Sequence, residues 1–450
     1  MLTSPSTLPP AAAAPVDILT IKGDLPLDQD IRREQRLLII SQHQSWLTHG
    51  FHRYPAKFFP ELPRWAIRKY STEGETVLDP MAGSGTTNLE SLLNRRNSVA
   101  VDVDPFARLL AKVKTTPLDA TVLERAYDSI ASTLDDFKKH GEPARAAGLR
   151  HVPEFPYRDT WFETFILEEI GAIRHAIARL PRVLGRSEIE NVQDYVDFFR
   201  VCLSSIVRDV SNADNNCTRT VVRKRLHKRI VRDMALRLFG RVCGVNIQRM
   251  REFAALCPRD VSVRIPNDGD ARCIPLEDAS VDAAVTSPPY INAVDYPRTH
   301  QLEMYLLDLT LPGQPLADAK RAHIGTEVVR AADYRALHRY GLPELDAQVE
   351  RFYAIDQRRA YIVHQYFVDM ERNFREVKRA LRPGRHYVVV VGNNIIRGEE
   401  VPTHRYLMGV AERAGLELDT YFSSAVIRHY IKVPRKERIN EDWVLVFRKP

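Results

Sequence analysis

Thr76-Val77-Leu78-Asp79-Pro80-Met81-Ala82-Gly83-Ser84-Gly85-Thr86-Thr87 is the stretch that decides the fold. An apolar run ends at Asp79, a glycine-rich turn follows, Thr86 to Asn94 carries helical spacing, and Ser98 to Val103 reads as a second apolar strand. This order predicts a parallel βαβ unit whose turn brings backbone N–H groups to a ligand at the positive end of a helix. A phosphate loop would need Lys and then Ser or Thr after the last glycine, but Thr86 and Thr87 stand there; a dinucleotide fingerprint would need a third glycine where Asn88 stands. Asp102 ends the second strand, 17 residues beyond Gly85, where an α/β fold places a carboxylate that accepts both ribose hydroxyls. The turn therefore suits an adenosine without a pyrophosphate.

Outward from this unit, residues 1–30 read as a disordered leader rich in Pro and Ala, and 31–115 as the cofactor half of the core. Residues 116–258 turn helical and charged, with amphipathic stretches at Thr164 to Leu180 and Tyr195 to Val210, and read as a large helical insertion. Strand signals return at Val261 to Ile265 and Val281 to Thr286, inside a core segment 259–300; a polar second insertion spans 301–364. The C-terminal core, 365–450, alternates helix 365–381, strand 387–391, helix 405–414 and strand 443–447. Such alternation predicts an α/β fold: a doubly wound, mostly parallel, Rossmann-like sheet interrupted twice.

With 450 residues, 44% hydrophobic and 27% charged, the chain has too much apolar material for a disordered tail. Its five cysteines include no CxxC pair, which argues against a zinc site or a secreted disulfide framework and for a reducing cytoplasm, bacterial or archaeal. No apolar run approaches the ~20 residues of a membrane helix. The net charge of +7 permits a polyanionic partner without requiring one.

The string Asp79, Pro80, Met81, Ala82, Gly83, Ser84, Gly85, Thr86, Thr87 resembles the cofactor loop of S-adenosylmethionine-dependent amino methyltransferases of DNA. Within that resemblance His52-Arg53-Tyr54-Pro55-Ala56-Lys57-Phe58 is similar to the segment that closes over the methionine end of the cofactor, which implies roles for Tyr54, Pro55, Ala56, Lys57 and Phe58. Asp270, in Gly269-Asp270-Ala271, matches the position whose carboxylate receives the adenine amino group. The similarity covers roughly residues 46–110, 261–300 and 365–450 and leaves the insertions uncovered.

Ser287, Pro288, Pro289 and Tyr290 follow the strand Val281 to Val285 and project from its C-terminal end, the edge where open α/β sheets place ligands. Consecutive prolines fix φ and remove two N–H donors, leaving a stiff, acceptor-rich loop. An exocyclic base amine is a poor nucleophile until acceptors take its hydrogens and turn its lone pair toward the methyl donor. Ser287 Oγ and the Pro288 carbonyl are the expected acceptors, with Tyr290 stacking on the base. The string resembles the catalytic motif of the amino methyltransferases, and its serine form implies cytosine N4, with adenine N6 as the alternative. No cysteine follows a proline, so a covalent cytosine-C5 mechanism has no nucleophile of the expected kind. The transfer needs no metal.

Residues 200–251 hold thirteen Lys and Arg against three Asp, a net +10. Helical spacing from Val222 through Leu226, Ile230 and Met234 to Leu238 predicts one apolar stripe with a basic arc opposite. Arg219, Arg223, Lys224, Arg225, Lys228, Arg229 and Arg232 are accordingly the candidate DNA-binding residues. The expected partners are double-stranded DNA, from which the target base is flipped, and a cognate restriction endonuclease.

Overall fold

The computed structural model describes residues 18–28, 31–55, 58–185, 191–222, 228–291, 295–310, 316–425 and 441–450. The chain opens with β1 (Ile18–Lys22) and β2 (Arg36–Ile40), paired in parallel. The expected leader is thereby corrected for residues 18–22. β1 lies at the sheet edge and has no buried residue, so its composition carries no core signal. Helix α1 (Glu61–Tyr70) precedes β3 (Thr76–Asp79), α2 (Thr86–Leu93) and β4 (Asn97–Ala100), the expected βαβ unit with its second strand ending at Ala100 instead of Val103, and α3 (Pro105–Thr115) follows. Asp104 caps α3 by accepting from Phe106 N at 2.8 Å, with Pro105 at the first helical position.

Seven described helices come next: α4 (Ala120–Lys139), α5 (Gly141–Leu149), α6 (Arg158–Trp161), α7 (Thr164–Ala178), α8 (Leu180–Leu184), α9 (Val192–Val210) and α10 (Met234–Leu256). They share one apolar core with α2 and α3, in which Leu89, Phe106 and Leu110 meet Ile166, Phe198 and Phe253. The helix expected to run from Val222 begins only at Met234, after Asp233 at φ +64°, and described residues 228–233 are not helical. The local cause is a polar surface stretch with Lys228 turned inward, described below.

The second half supplies β5 (Val263–Arg264), β6 (Val281–Thr286), α11 (Tyr296–Thr299), α12 (Gln301–Leu306), α13 (Leu316–Ala322), α14 (Pro343–Ile355), α15 (Gln357–Ala380), β7 (Leu381–Gly392), the hairpin strands β8 (Asn394–Ile396) and β9 (Glu399–Val401), α16 (Thr403–Arg413), β10 (Glu417–Ala425) and β11 (Glu441–Arg448). One nine-stranded sheet has the order β1-β2-β10-β11-β7-β6-β3-β4-β5. Only β11 runs antiparallel to its neighbours, β10 and β7. Both faces are buried: along β7, Val388 and Val390 pack with Leu62 and Trp65 of α1, while Tyr387, Val389 and Val391 pack with Phe374 of α15 and Leu407 of α16. The fold is a doubly wound, mostly parallel Rossmann-like sheet. From β3 the chain steps outward through β4 to β5 and then returns to β6 on the other side of β3. The strand order therefore reverses between β3 and β6, and the loops leaving those two strands open on the crevice where such sheets bind ligands. Among the described residues no helix is long and apolar enough to cross a membrane.

Candidate functional site

The glycine-rich turn leaves β3 and the Ser287–Tyr290 loop leaves β6, its parallel neighbour, so both emerge side by side. Gly83 has φ +49° and Gly85 φ +76°, conformations that side chains resist. A Cβ at Gly85 would lie 2.8 Å from the Ala111 Cα, so this glycine also lets α2 approach α3; one at Gly83 would stand 3.5 Å from the Tyr54 ring, within the crevice. Asp79 ties the two loops together. Its Oδ1 accepts from Met81 N at 3.1 Å and from Thr286 Oγ1 at 2.7 Å. Burial pushes the Asp79 carboxyl up to about 6, against the hydrogen bonds from Thr286, Thr87 and Met81.

Asp102, at the end of β4, accepts from Gly83 N at 2.8 Å through Oδ2 and from Asp104 N at 2.8 Å through Oδ1. Burial and the neighbouring Asp104 raise its pKa. Each carboxylate oxygen keeps lone-pair capacity beyond these single bonds. Lys114, fully buried on α3, donates to the Ser84 carbonyl at 2.5 Å and so holds the turn from behind. Nothing in the sequence marked it, because its partner is a main-chain oxygen.

One cavity joins these elements. Of the expected residues, Tyr54, Phe58, Asp79, Pro80, Met81, Ala82, Gly83, Ser84, Thr86, Thr87, Asp102, Asp270, Ser287 and Pro289 line it, while Pro55, Gly85, Pro288 and Tyr290 do not. Ala56 and Lys57 lie outside the described residues. The wall also includes Tyr296 and His323, which sequence reasoning missed. Tyr296 stacks on Tyr54 with ring centroids 5.7 Å apart and on His323 at 6.4 Å. The volume, about 80 Å³, is below the few hundred Å³ of an ordinary small-molecule site, with these stacked rings along its side.

Asp270 is pushed up by burial and held down by Arg272, which donates to both carboxylate oxygens; the net shift is downward, so the group is an anion at the cavity wall. Tyr290 is anchored away from the cavity: its hydroxyl donates to Asp442 of β11 at 2.6 Å, and Asn394 holds the next carbonyl, that of Ile291, at 2.8 Å. Burial raises the pKa of both Tyr290 and Asp442. Asp442 lies 152 residues from Tyr290 along the chain, beyond the reach of any local motif.

The donor set fits an adenosine-bearing cofactor. Asp102 and Asp270 both line the cavity with acceptor capacity, Gly83 keeps the crevice clear, and Tyr54 and Phe58 flank it.

The basic segment behaves differently from its sequence reading. Lys228 turns inward, donating to the Arg208 carbonyl at 2.5 Å and to Asn215 Oδ1 at 3.0 Å, and burial lowers its pKa to about 8. Arg232 pairs with Glu168 at 3.6 Å and covers the Phe165 ring, and Arg219 pairs with Glu327 at 3.3 Å. Arg229 is exposed. Arg223, Lys224 and Arg225 lie outside the described residues. Among the described residues no group of three or more His, Cys, Asp or Glu is arranged to hold a metal ion.

Residues 27–112 match the N6_N4_Mtase family model, described as DNA methylase. Among curated proteins, the chain is 23% identical to the Type II methyltransferase M.MvaI of Kocuria varians, covering 82% of each chain. It is 24% identical to the Type II methyltransferase M.BsoBI of Geobacillus stearothermophilus, over 85% of this chain and 81% of that one. To the Type II methyltransferase M.MjaII of Methanocaldococcus jannaschii it is 22% identical, over 60% of this chain and 64% of that one.

Proposed function

We propose that this DNA methyltransferase of the N6/N4 family, whose cofactor is S-adenosylmethionine, methylates the exocyclic N4 amine of cytosine in double-stranded DNA, at a base flipped out of the helix. The observation that carries the reading is the shared cavity: Ser287 and Pro289 line the same space as the Gly83 turn, Asp102 and Asp270, so an acceptor for a base amine faces the cofactor's strand ends.

Bound S-adenosylmethionine supplies a sulfonium-linked methyl group whose in-line displacement leaves a neutral thioether. The chain binds and orients. Asp102 accepts the ribose hydroxyls and Asp270 the adenine amino group. Ser287 Oγ, at the cavity wall, accepts a hydrogen bond from the target amine, which favours rotation of its lone pair out of conjugation. Orientation of two reactants in a closed site is a large source of rate by itself. Tyr290, fixed by its hydroxyl on Asp442, anchors the end of the loop instead of stacking on the base. Asp79 keeps the two loops in register through Thr286.

The relatives bear the name Type II methyltransferase, which supports a cognate restriction endonuclease as a partner and a prokaryotic cytoplasm as the setting. Arg229 and Arg232, with Arg219 and the residues 223–225, form the proposed DNA contact. Lys228 is withdrawn from that set because its ammonium faces carbonyls.

Mass spectrometry of nucleosides from duplex DNA incubated with the protein and S-adenosylmethionine tests the reading. N4-methylcytosine is expected; N6-methyladenine as the sole product would transfer the assignment to adenine.

A further inference from the structure

A second cavity, of about 140 Å³, lies behind Tyr54, which is the one residue common to both linings. Its walls are the end of α9, the loop Asn215 to Thr218 and the start of α12. Among the described residues four of its lining side chains, His52, Arg208, His300 and Glu303, keep a buried polar atom without a hydrogen-bond partner. His300, 2% exposed, has neither ring nitrogen hydrogen-bonded, and Glu303, 1% exposed, leaves Oε2 unpaired. Leaving such groups buried and unsatisfied costs about 1 to 3 kcal/mol each, which marks the cavity as built to be filled by a polar molecule.

The chemistry of the walls narrows that molecule. Burial holds His300 far below its ordinary pKa, so the imidazole is neutral, with one donor and one acceptor. Burial raises the Glu303 carboxyl to about 7, so it too both donates and accepts. Arg208 directs its Nη atoms to the carbonyls of Cys217 at 2.7 Å, Asp214 at 3.1 Å and Thr218 at 3.3 Å, which leaves the single unpaired Nε and not a two-pronged fork for a phosphate. His300 stacks on Tyr54 at 4.9 Å, giving the cavity a flat aromatic side. A cavity of about 150 Å³ accommodates one benzene ring, so this one is sized for a single six-membered ring. Arg53 and Asn216 are exposed at its mouth, beside the basic segment.

We propose that the cavity walled by Tyr54, Arg208, His300 and Glu303 is a second base site, which takes one neutral pyrimidine ring extruded from the bound DNA, distinct from the base presented to Ser287. The proposal rests on the reading that the chain acts on duplex DNA. A free pyrimidine nucleoside has the same ring chemistry, and the test separates the two sources.

Duplexes containing the methylated sequence, with 5-iododeoxycytidine or 5-iododeoxyuridine at each pyrimidine position in turn, are irradiated on the protein saturated with S-adenosylhomocysteine, and the adducts are mapped by mass spectrometry. One position is expected to label the Ser287–Tyr290 loop and a second to label His300, which lines the second cavity and not the first. Thr218→Trp, in the wall of the second cavity, is expected to abolish the second adduct and weaken DNA binding about tenfold, while the first adduct and S-adenosylmethionine affinity stay within twofold. Labelling of His300 by free 5-iododeoxyuridine and by no duplex would overturn the DNA source. Absence of that adduct from every substrate, with Thr218→Trp behaving as the parent, would reduce the cavity to a water-filled void. Nucleoside analysis of parallel reactions with S-adenosylmethionine reports N4-methylcytosine independently, so failure of the second site and failure of the proposed reaction give different results.

Discussion

The crevice between β3 and β6 and the basic segment 200–251 were both conspicuous in the sequence; the structure gathers the residues of the first around one cavity and turns several cations of the second onto the protein's own carbonyls and carboxylates. In the crevice the signal is conformational. Gly83 and Gly85 adopt positive φ, consecutive prolines stiffen the loop after β6, and each loop leaves a strand end whose direction the sheet dictates. In the basic segment the signal is a sum of charges, and a sum has no direction. Arg208 and Lys228 bind main-chain carbonyls, Arg249 donates to the Gly50 carbonyl at 2.7 Å, and Arg232 and Arg251 pair with Glu168 and Glu124. Much of that charge stitches loops onto the helical block. A backbone constraint read from sequence locates a residue, whereas a charge count leaves open whether the cation faces solvent or carbonyls.

The sharpest test of the first half of this contrast is Ser287→Ala. It removes one acceptor that matters mainly as the amine turns toward the methyl group, so kcat should fall by ~10²-fold, as when one preorganised hydrogen bond is lost at other sites. Cofactor affinity, measured by calorimetry, should stay unchanged. Full turnover in the variant would remove Ser287 from the mechanism and leave the loop merely structural.

Asp79→Asn probes the tie between the loops. The amide keeps an acceptor for Thr286 and Met81 and deletes the buried charge. Because the folded pKa is raised to about 6 from an unfolded value near 3.8, the native state binds more protons between those limits, and stability falls as pH rises through that window. The parent protein should therefore lose on the order of 2 kcal/mol relative to Asp79→Asn between pH 4 and 6, followed by denaturant titration without cofactor. Parallel curves for the two proteins would show that the carboxyl carries no such shift.

Asp102→Ala should lower S-adenosylmethionine affinity at least tenfold, since hydrogen bonds to a charged group contribute about 1.5 to 3 kcal/mol and the Gly83 amide also loses its acceptor. Wild-type affinity in a folded variant would detach this strand end from the cofactor.

These residues were legible because each sits at a strand end and answers to local chemistry. Their surroundings were not. Tyr296 reaches the cavity wall from the end of the core segment 259–300 and His323 from the second insertion, Lys114 acts on a backbone oxygen, and Asp442 meets Tyr290 across the sheet; no spacing rule links such partners. The edge strand β1 and its neighbour β2 failed for another reason. They are short, and β1 has no buried face, so its period of two has nothing to report. The helix extrapolated back to Val222 failed because its stripe was extended through Ile230, whose neighbours Lys228 and Arg232 make long-range contacts that helical geometry does not provide.

The smallest effects decide the second half of the contrast. Each phosphate contact contributes close to one unit to the slope of log affinity against log salt. Arg229 is exposed, and Arg232 is held by a 3.6 Å pair with Glu168 and by its place over the Phe165 ring, contacts of the kind worth less than about 1 kcal/mol each at an exposed site. Arg229→Gln combined with Arg232→Gln should therefore flatten the salt slope by ~1 to 2 units and weaken binding alike at all sequences, with no change in cofactor affinity. Lys228→Gln should do the reverse. It leaves the slope within error and lowers the thermal midpoint, because the Arg208 carbonyl loses a buried donor. Should Lys228→Gln flatten the slope by a full unit while the arginine pair does not, the ammonium reaches phosphate in the complex and the inward bonds open on binding. The charge count would then have been the better guide, and the stitching described above would be a property of the DNA-free protein alone.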